Sequence, residues 1–228
     1  MDRGRSAAAV LAELLPASGP LLEIGVGTGL VAAGLAELGR TPVGVDLSVP
    51  MLARAAERIP GRLAVADAHR LPVRSGSVAG AYLVHVLHLV GDVAATLAEV
   101  ARVLRPGGTL VATAFPAGPV RGDVHEEMDR IRAELGAPVR DVDAPLVTRL
   151  AGDAGFELVD HREEPGVDVT PRNAADRLEE RSISWMWTVE DEVWARRMPA
   201  AVRRLRALPD QDRVRPGPGP TMLALRRR

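Results

Sequence analysis

The chain has 228 residues, 46% of them hydrophobic, which suits one domain with a sizeable core and excludes a disordered chain. The formal net charge is −1, which gives no bulk attraction to nucleic acid or to anionic lipid. There is no cysteine, so disulfides and Cys-based zinc sites are out, and all 29 basic residues are Arg, so lysine chemistry is out as well.

The chain starts with "MDRGRSAAAVLAELLPASGP", a basic flank and a run of small apolar residues. Signal peptides share that outline, but Glu13 interrupts the run, and an amphipathic helix is the reading favoured over a targeting segment. No stretch reaches the ~20 uncharged apolar residues of a membrane span. With no cysteine to point elsewhere, a cytoplasmic protein is expected.

From residue 21 strand and helix patterns alternate. "LLEIGV" (21–26) reads as a buried strand, 29–39 as a helix, and "TPVGVD" (41–46) as a second strand. Ser48 can cap the next helix, with Pro50 in its first turn and "PG" at 60–61 ending it. "RLAVAD" (62–67) and "SVAGAYLV" (77–84) are the third and fourth strands. Asp92 opens a helix that "RPGG" (105–108) stops, and "TLVATAF" (109–115) is the fifth strand. A polar helix, "HEEMDRIRAELG", lies within 116–143. Another runs from Asp143 and Pro145 to Ala154, before a sixth strand, "FELVDH" (156–161). Residues 170–209 read as helical with a break at Pro199, and 221–226 as a seventh strand.

Repeated β-α units predict an α/β fold. The expectation is a doubly wound, mostly parallel, seven-stranded Rossmann-like sheet with helices on both faces and helical cap insertions. It forms one domain over 1–228, with a ligand-binding core at 21–115 and two excursions at 116–143 and 170–209.

In such a sheet ligands bind at the carboxyl ends of the strands. There the first strand runs into "EIGVGTG", whose glycines let a ligand come close to the main chain. The dinucleotide fingerprint spaces its glycines G-x-G-x-x-G, whereas here the spacing is G-x-G-x-G with Leu30 in the third fingerprint position. Asp46 ends the second strand and can accept from ribose hydroxyls. Asp67 ends the third, and its carboxylate with the Ala68 N–H can meet an adenine edge. Acids at three strand ends (Glu23, Asp46, Asp67) suit a donor-rich ligand without phosphate; a ring of carboxylates repels pyrophosphate.

These segments together resemble the class I S-adenosylmethionine-dependent methyltransferases, in the small-molecule branch known as type 11. "LLEIGVGTG" is similar to that family's first motif, "GVDLS" to its second and "ADAHRLP" to its third-strand loop. "HVLHLVGD" and "EVARVLRPGGTLVAT" resemble the stretches after strand four and around strand five. The resemblance covers 21–115 in order. It implies S-adenosyl-L-methionine as methyl donor and S-adenosyl-L-homocysteine as product. It implies that Glu23 orients the loop and the donor's amino-acid end, with Gly25, Val26 and Gly27 packing beneath. Asp46 holds the ribose, Leu47 lies on the adenine, Asp67 and Ala68 read its edge, and main chain near Val84 and His85 meets the amino group. The family's frequent acid early in strand four is Ala79 here.

His88 matches a histidine recurrent in this branch and reads either as a general base or as a structural residue bonding a loop carbonyl. His69 reads as a loop residue. Trp185, Trp187 and Trp194 sit together in "SWMWTVEDEVW". Trp185 and Trp187 are candidate lining for an apolar acceptor pocket, the alternative being a cap that packs on itself. Thr188 and Asp191 form a candidate capping box ahead of Trp194. No metal-ligand spacing is present. "RRLRAL" (203–208) reads as a solvated basic face. The expected function is methyl transfer to a small-molecule acceptor at oxygen or carbon, with no nucleic-acid or membrane partner. The alternatives are an RNA-directed enzyme of the same fold, a noncatalytic protein binding S-adenosylmethionine or S-adenosylhomocysteine, and an NAD enzyme.

Overall fold

The computed structural model describes all residues except 1–2, 115–121, 138–141, 165, 167, 184–185, 187–188 and 218. The chain divides into two compact units. Unit 1 is Met1–Pro116, Val142–Glu164 and Pro220–Arg228; unit 2 is Ala117–Asp141 and Pro165–Gly219. The two sequence excursions fall within or close to the unit 2 segments.

Unit 1 is built on seven strands: β1 (Leu21–Ile24), β2 (Val43–Asp46), β3 (Leu63–Val65), β4 (Val78–Leu83), β5 (Leu104–Ala114), β6 (Phe156–Glu163) and β7 (Thr221–Arg227). Their order is β3-β2-β1-β4-β5-β7-β6. The first five are parallel, and β7 runs antiparallel to both β5 and β6. Strand order reverses between β1 and β4, which places a crevice at their carboxyl ends.

The helices of unit 1 are α1 (Arg3–Leu14), α2 (Leu30–Glu37), α3 (Val49–Ala56), α4 (Val93–Val103) and α6 (Ala144–Asp153). Period-two alternation along the strands feeds two cores. Leu21, Tyr82, Val111 and Met222 pack with Leu11 of α1 and Leu35 of α2. Leu22, Ile24, Leu83, Leu110 and Leu223 pack with Leu97 and Val100 of α4 and Val147 of α6. Helices therefore cover both faces. Each fully buried leucine stabilises the fold by roughly 1.5–3 kcal/mol.

Unit 2 holds α5 (Asp123–Glu134), α7 (Pro171–Glu179) and α8 (Asp191–Arg206) around its own core of Val124, Ile131, Leu178, Met186, Met198 and Leu205. Buried Glu127 accepts from Arg204 Nε at 2.5 Å, and Arg204 also donates to Glu134 at 2.8 Å, which ties α8 to α5. Arg206 donates to Asp176 and Glu179, both at 2.8 Å, which ties α8 to α7. Two arginines of the basic 203–208 run thus act within the unit.

Three local expectations are corrected. Pro199 does not break its helix: α8 runs through it, because Met198, Ala201, Val202 and Leu205 are buried and their packing outweighs the lost hydrogen bond. α8 begins with Glu190 in the N-cap position and no side-chain cap bond; Thr188 lies outside the described residues. The capping box of unit 2 is at α7 instead, where Thr170 Oγ1 accepts from Asn173 N and Asn173 Oδ1 from Thr170 N. "RPGG" ends α4 yet is itself part of β5, which pairs Leu104 with Val78 before a register shift to Thr109 opposite Gly80.

Candidate functional site

Main chain and carboxylates at the ends of β1, β2 and β3 build the site. β1 leaves the sheet through Gly25, Val26 and Gly27. Gly25 N and Val26 N both donate to Val45 O, at 2.8 and 2.9 Å, so the loop is held against β2. Gly25 and Gly27 are both left-handed, with φ of 73° and 53°. Their surroundings differ. A Cβ on Gly25 would collide with the γ-methyls of Val86, whereas a Cβ on Gly27 would meet no atom within 4 Å. Gly25 is required by packing inside the protein; Gly27 faces open space at the reversal point of the sheet.

Asp46 fixes that loop. Its Oδ2 accepts from Gly27 N at 2.8 Å and its Oδ1 from Ser48 N at 2.8 Å. Ser48 sits at the N-cap of α3 as expected, but its side chain makes no cap bond; the Asp46 carboxylate takes its N–H instead. Each carboxylate oxygen retains a lone-pair direction for a further donor. Leu47 follows with 71% of its surface exposed, an apolar side chain beside the crevice rather than in a core.

Asp67 lies just beyond β3 and is exposed. His69 N donates to its Oδ1 at 2.9 Å, and His69 Nδ1 lies 2.6 Å from the same oxygen. The backbone bond first, and the ring bond second, hold the Asp67 carboxyl below its ordinary range. Ala68, half-buried, packs against the core beneath.

Glu23 changes the charge count. It is 2% exposed, and Tyr82 Oη donates to its Oε2 at 3.1 Å. Burial pushes the Glu23 carboxyl up to about 8, against the opposing pull of Tyr82 and of the Ala32 backbone. The Tyr82 phenol is pushed up too, by burial first and by Glu23 next. Burial thus favours the neutral form of Glu23 within β1, so it does not join Asp46 and Asp67 in a ring of three exposed carboxylates. Tyr82 was missed as Glu23's partner; it is the chain's sole tyrosine and stands directly opposite Glu23 in the β1–β4 register.

Val84 and His85 follow β4. Val84 is half-buried against the α1–α2 core, and His85 is exposed with a left-handed backbone, φ 57°. His88 is half-buried in the next turn. Trp185 and Trp187 lie outside the described residues. Trp194 is half-buried in unit 2, with the Arg181 guanidinium 4.8 Å from its ring centre. The structure thus joins Asp46 directly to the glycine loop, and Asp67 directly to His69. Among the described residues no group of three or more His, Asp or Glu could hold a metal ion, and no helix is long and apolar enough to cross a membrane.

An S-adenosyl ligand fits this arrangement. Gly27 leaves room for close approach, Asp46 stands at the adjoining strand end for hydroxyl donors, and no phosphate-binding lysine is needed.

Comparison with known proteins agrees. Residues 22–112 match the family model described as a methyltransferase domain. A demethylmenaquinone methyltransferase of Beutenbergia cavernae is 39% identical over 100 residues, covering 43% of this chain and 42% of that protein. The chain spans about half the length, or less, of the curated relatives it matches. Among solved structures, a phosphoethanolamine N-methyltransferase of Haemonchus contortus with bound S-adenosylhomocysteine aligns with a TM-score of 0.60 at 20% identity, over 97% of this chain and 52% of that one. A cyclase structure aligns with a TM-score of 0.64 at 24% identity, over 98% and 81%. The structural likeness establishes the fold; the match to the methyltransferase family model covers residues 22–112, and the sequence likeness to the relatives covers about half, or less, of each of them.

Proposed function

We propose that the methyltransferase domain at 22–112 makes this chain an S-adenosylmethionine-dependent methyltransferase of a small-molecule acceptor, acting at oxygen or carbon. The observation that carries this reading is the Asp46 carboxylate locked onto a glycine loop whose Gly27 faces empty space. Asp46 takes the ribose hydroxyls, Leu47 lies on the adenine, and Asp67 with the Ala68 N–H reads its edge. Gly25, Val26 and Gly27 form the floor under the amino-acid end. Val84 and His85 offer main chain to the amino group. Buried Glu23, through Tyr82, fixes the β1 end that carries the loop.

Bound S-adenosylmethionine supplies a sulfonium-activated methyl group that a nucleophile takes by in-line displacement. The protein's part is to align the acceptor and exclude water, so proximity supplies much of the rate. An oxygen acceptor also needs its proton removed, and His88 is assigned that role. Acceptor binding is assigned to the segments 116–143 and 170–209, with Trp185 and Trp187 as apolar lining, and the core at 21–115 to the donor. The demethylmenaquinone in the relatives' names supports a small organic acceptor, and a cytoplasmic setting fits the cysteine-free chain. Arg204 and Arg206, engaged in ion pairs, argue against the RNA reading.

Isothermal titration of the whole chain with S-adenosylhomocysteine and with NAD tests the donor site. S-adenosylhomocysteine binds and NAD does not; preference for NAD overturns the reading. Binding without methyl turnover across a broad panel of phenols, quinols and enols would leave a noncatalytic binder.

A further inference from the structure

We propose that His69 is a positioning residue that aims the Asp67 carboxylate at the amino edge of the adenine ring, and so sets the enzyme's preference for adenosyl over inosyl donors. This rests on the function proposed above.

The geometry is a two-ended bridge. On one side His69 engages Asp67 Oδ1 twice, through its backbone N at 2.9 Å and its ring Nδ1 at 2.6 Å. On the other, His69 Nε2 lies 3.2 Å from Asp92 N and 3.1 Å from Asp92 O. Asp92 is itself fixed, because it is the N-cap of α4 and its Oδ1 accepts from Ala95 N at 3.0 Å. The imidazole therefore anchors an exposed loop carboxylate to the start of a packed helix.

The bridge survives either charge state of the ring. A neutral ring with its proton on Nδ1 donates to Asp67 and accepts the Asp92 N–H at Nε2. A cationic ring donates to Asp67 and to Asp92 O. In both, Oδ1 is occupied from one direction, and Oδ2 makes no hydrogen bond among the described residues. A carboxylate alone in a loop rotates freely about χ2. Clamped by Oδ1, it presents Oδ2 in one direction only.

The chemistry to be read is a donor next to an acceptor. Adenine offers an exocyclic N–H₂ to Asp67 Oδ2 and a ring nitrogen lone pair to the Ala68 N–H. Hypoxanthine reverses both: it has a carbonyl oxygen where the amine was and an N–H where the lone pair was. A rigid carboxylate rejects that reversal; a mobile one turns away and tolerates it.

The test is titration calorimetry with S-adenosyl-L-homocysteine and S-inosyl-L-homocysteine on the whole chain and on three variants. His69→Ala lowers the adenosyl-over-inosyl preference by about tenfold. His69→Asn, whose amide nitrogen occupies the place of Nδ1, restores it. His69→Gln, which reaches toward Asp92 and not Asp67, does not. An unchanged preference in His69→Ala overturns the proposal, as does restoration by Gln and not Asn. Should His69→Ala fail to fold, the Asn–Gln contrast still decides. If the wild-type chain binds neither compound, the donor assignment itself has failed and this proposal falls with it; if it binds S-adenosylhomocysteine and all variants discriminate equally, only this proposal fails.

Discussion

Alanine at Gly27 and alanine at Gly25 are chemically the same change on neighbouring left-handed residues, with different expected outcomes. An L-residue held in the left-handed region costs about 1–2 kcal/mol. At Gly27 that is the whole cost to the fold, because the new methyl meets nothing within 4 Å. In a domain of this size about 1 kcal/mol lowers Tm by roughly 2–4 °C, so Gly27→Ala melts a few degrees early. Gly25→Ala bears the same strain and also drives a methyl into Val86, a buried residue of the main core. Overpacking adds about 1–3 kcal/mol, for a total near 2–5 kcal/mol. Ligand affinity follows the opposite order. The methyl of Gly27→Ala enters the space assigned to the donor and weakens S-adenosylhomocysteine binding by about tenfold or more. Thermal unfolding and calorimetry on both variants give the two numbers. If Gly27→Ala binds as tightly as wild type, the open space is not the ligand's. If the two variants melt together, the packing argument around Val86 is wrong.

Asp46→Ala removes the acceptor of both Gly27 N and Ser48 N as well as the proposed ribose contact, so S-adenosylhomocysteine affinity falls by about 1–3 kcal/mol, roughly 5- to 150-fold by calorimetry. Unchanged affinity would contradict the ribose assignment. Glu23 makes stability depend on pH. Its folded value of about 8 exceeds the ordinary 4.5, so its contribution is complete below pH 4.5 and is lost as pH rises toward 8, by up to about 1.4 kcal/mol per unit. Urea unfolding between pH 5 and 8 therefore shows wild type losing stability relative to Glu23→Gln; parallel curves would show that Glu23 ionises normally. His88→Ala lowers turnover on an oxygen acceptor by about 100-fold or more if His88 is the base; wild-type turnover would leave only a structural role.

The sheet was legible because its code is local. Short apolar runs separated by amphipathic stretches and punctuated by Gly and Pro admit few arrangements, and each of the seven strands overlaps the run that pointed to it, β5 starting earlier, at Leu104. The acids at strand ends were legible for the same reason. What the pattern lacked was pairing information. That Glu23 accepts from Tyr82 depends on the pairing of β1 with β4, and that Asp67 is clamped depends on Asp92, far along the chain. Pro199 misled because the breaker rule is a local cost, and the burial of Met198 and Leu205 that outweighs it is tertiary. The chemistry of 116–143 and 170–209 is unreadable because polar helices that pack on one another carry no ligand signature in their spacing.

β7 has a consequence for how the protein is made. It follows every other element in the chain, yet it lies inside the sheet, and β6 joins the sheet through β7 alone. While the ribosome is still holding Thr221–Arg227, β5 shows a bare backbone edge and β6 has nothing to pair with. Until those residues pair, a greasy, half-zipped ribbon stays open to other chains, so that half of the sheet closes after the β3-β2-β1-β4-β5 half.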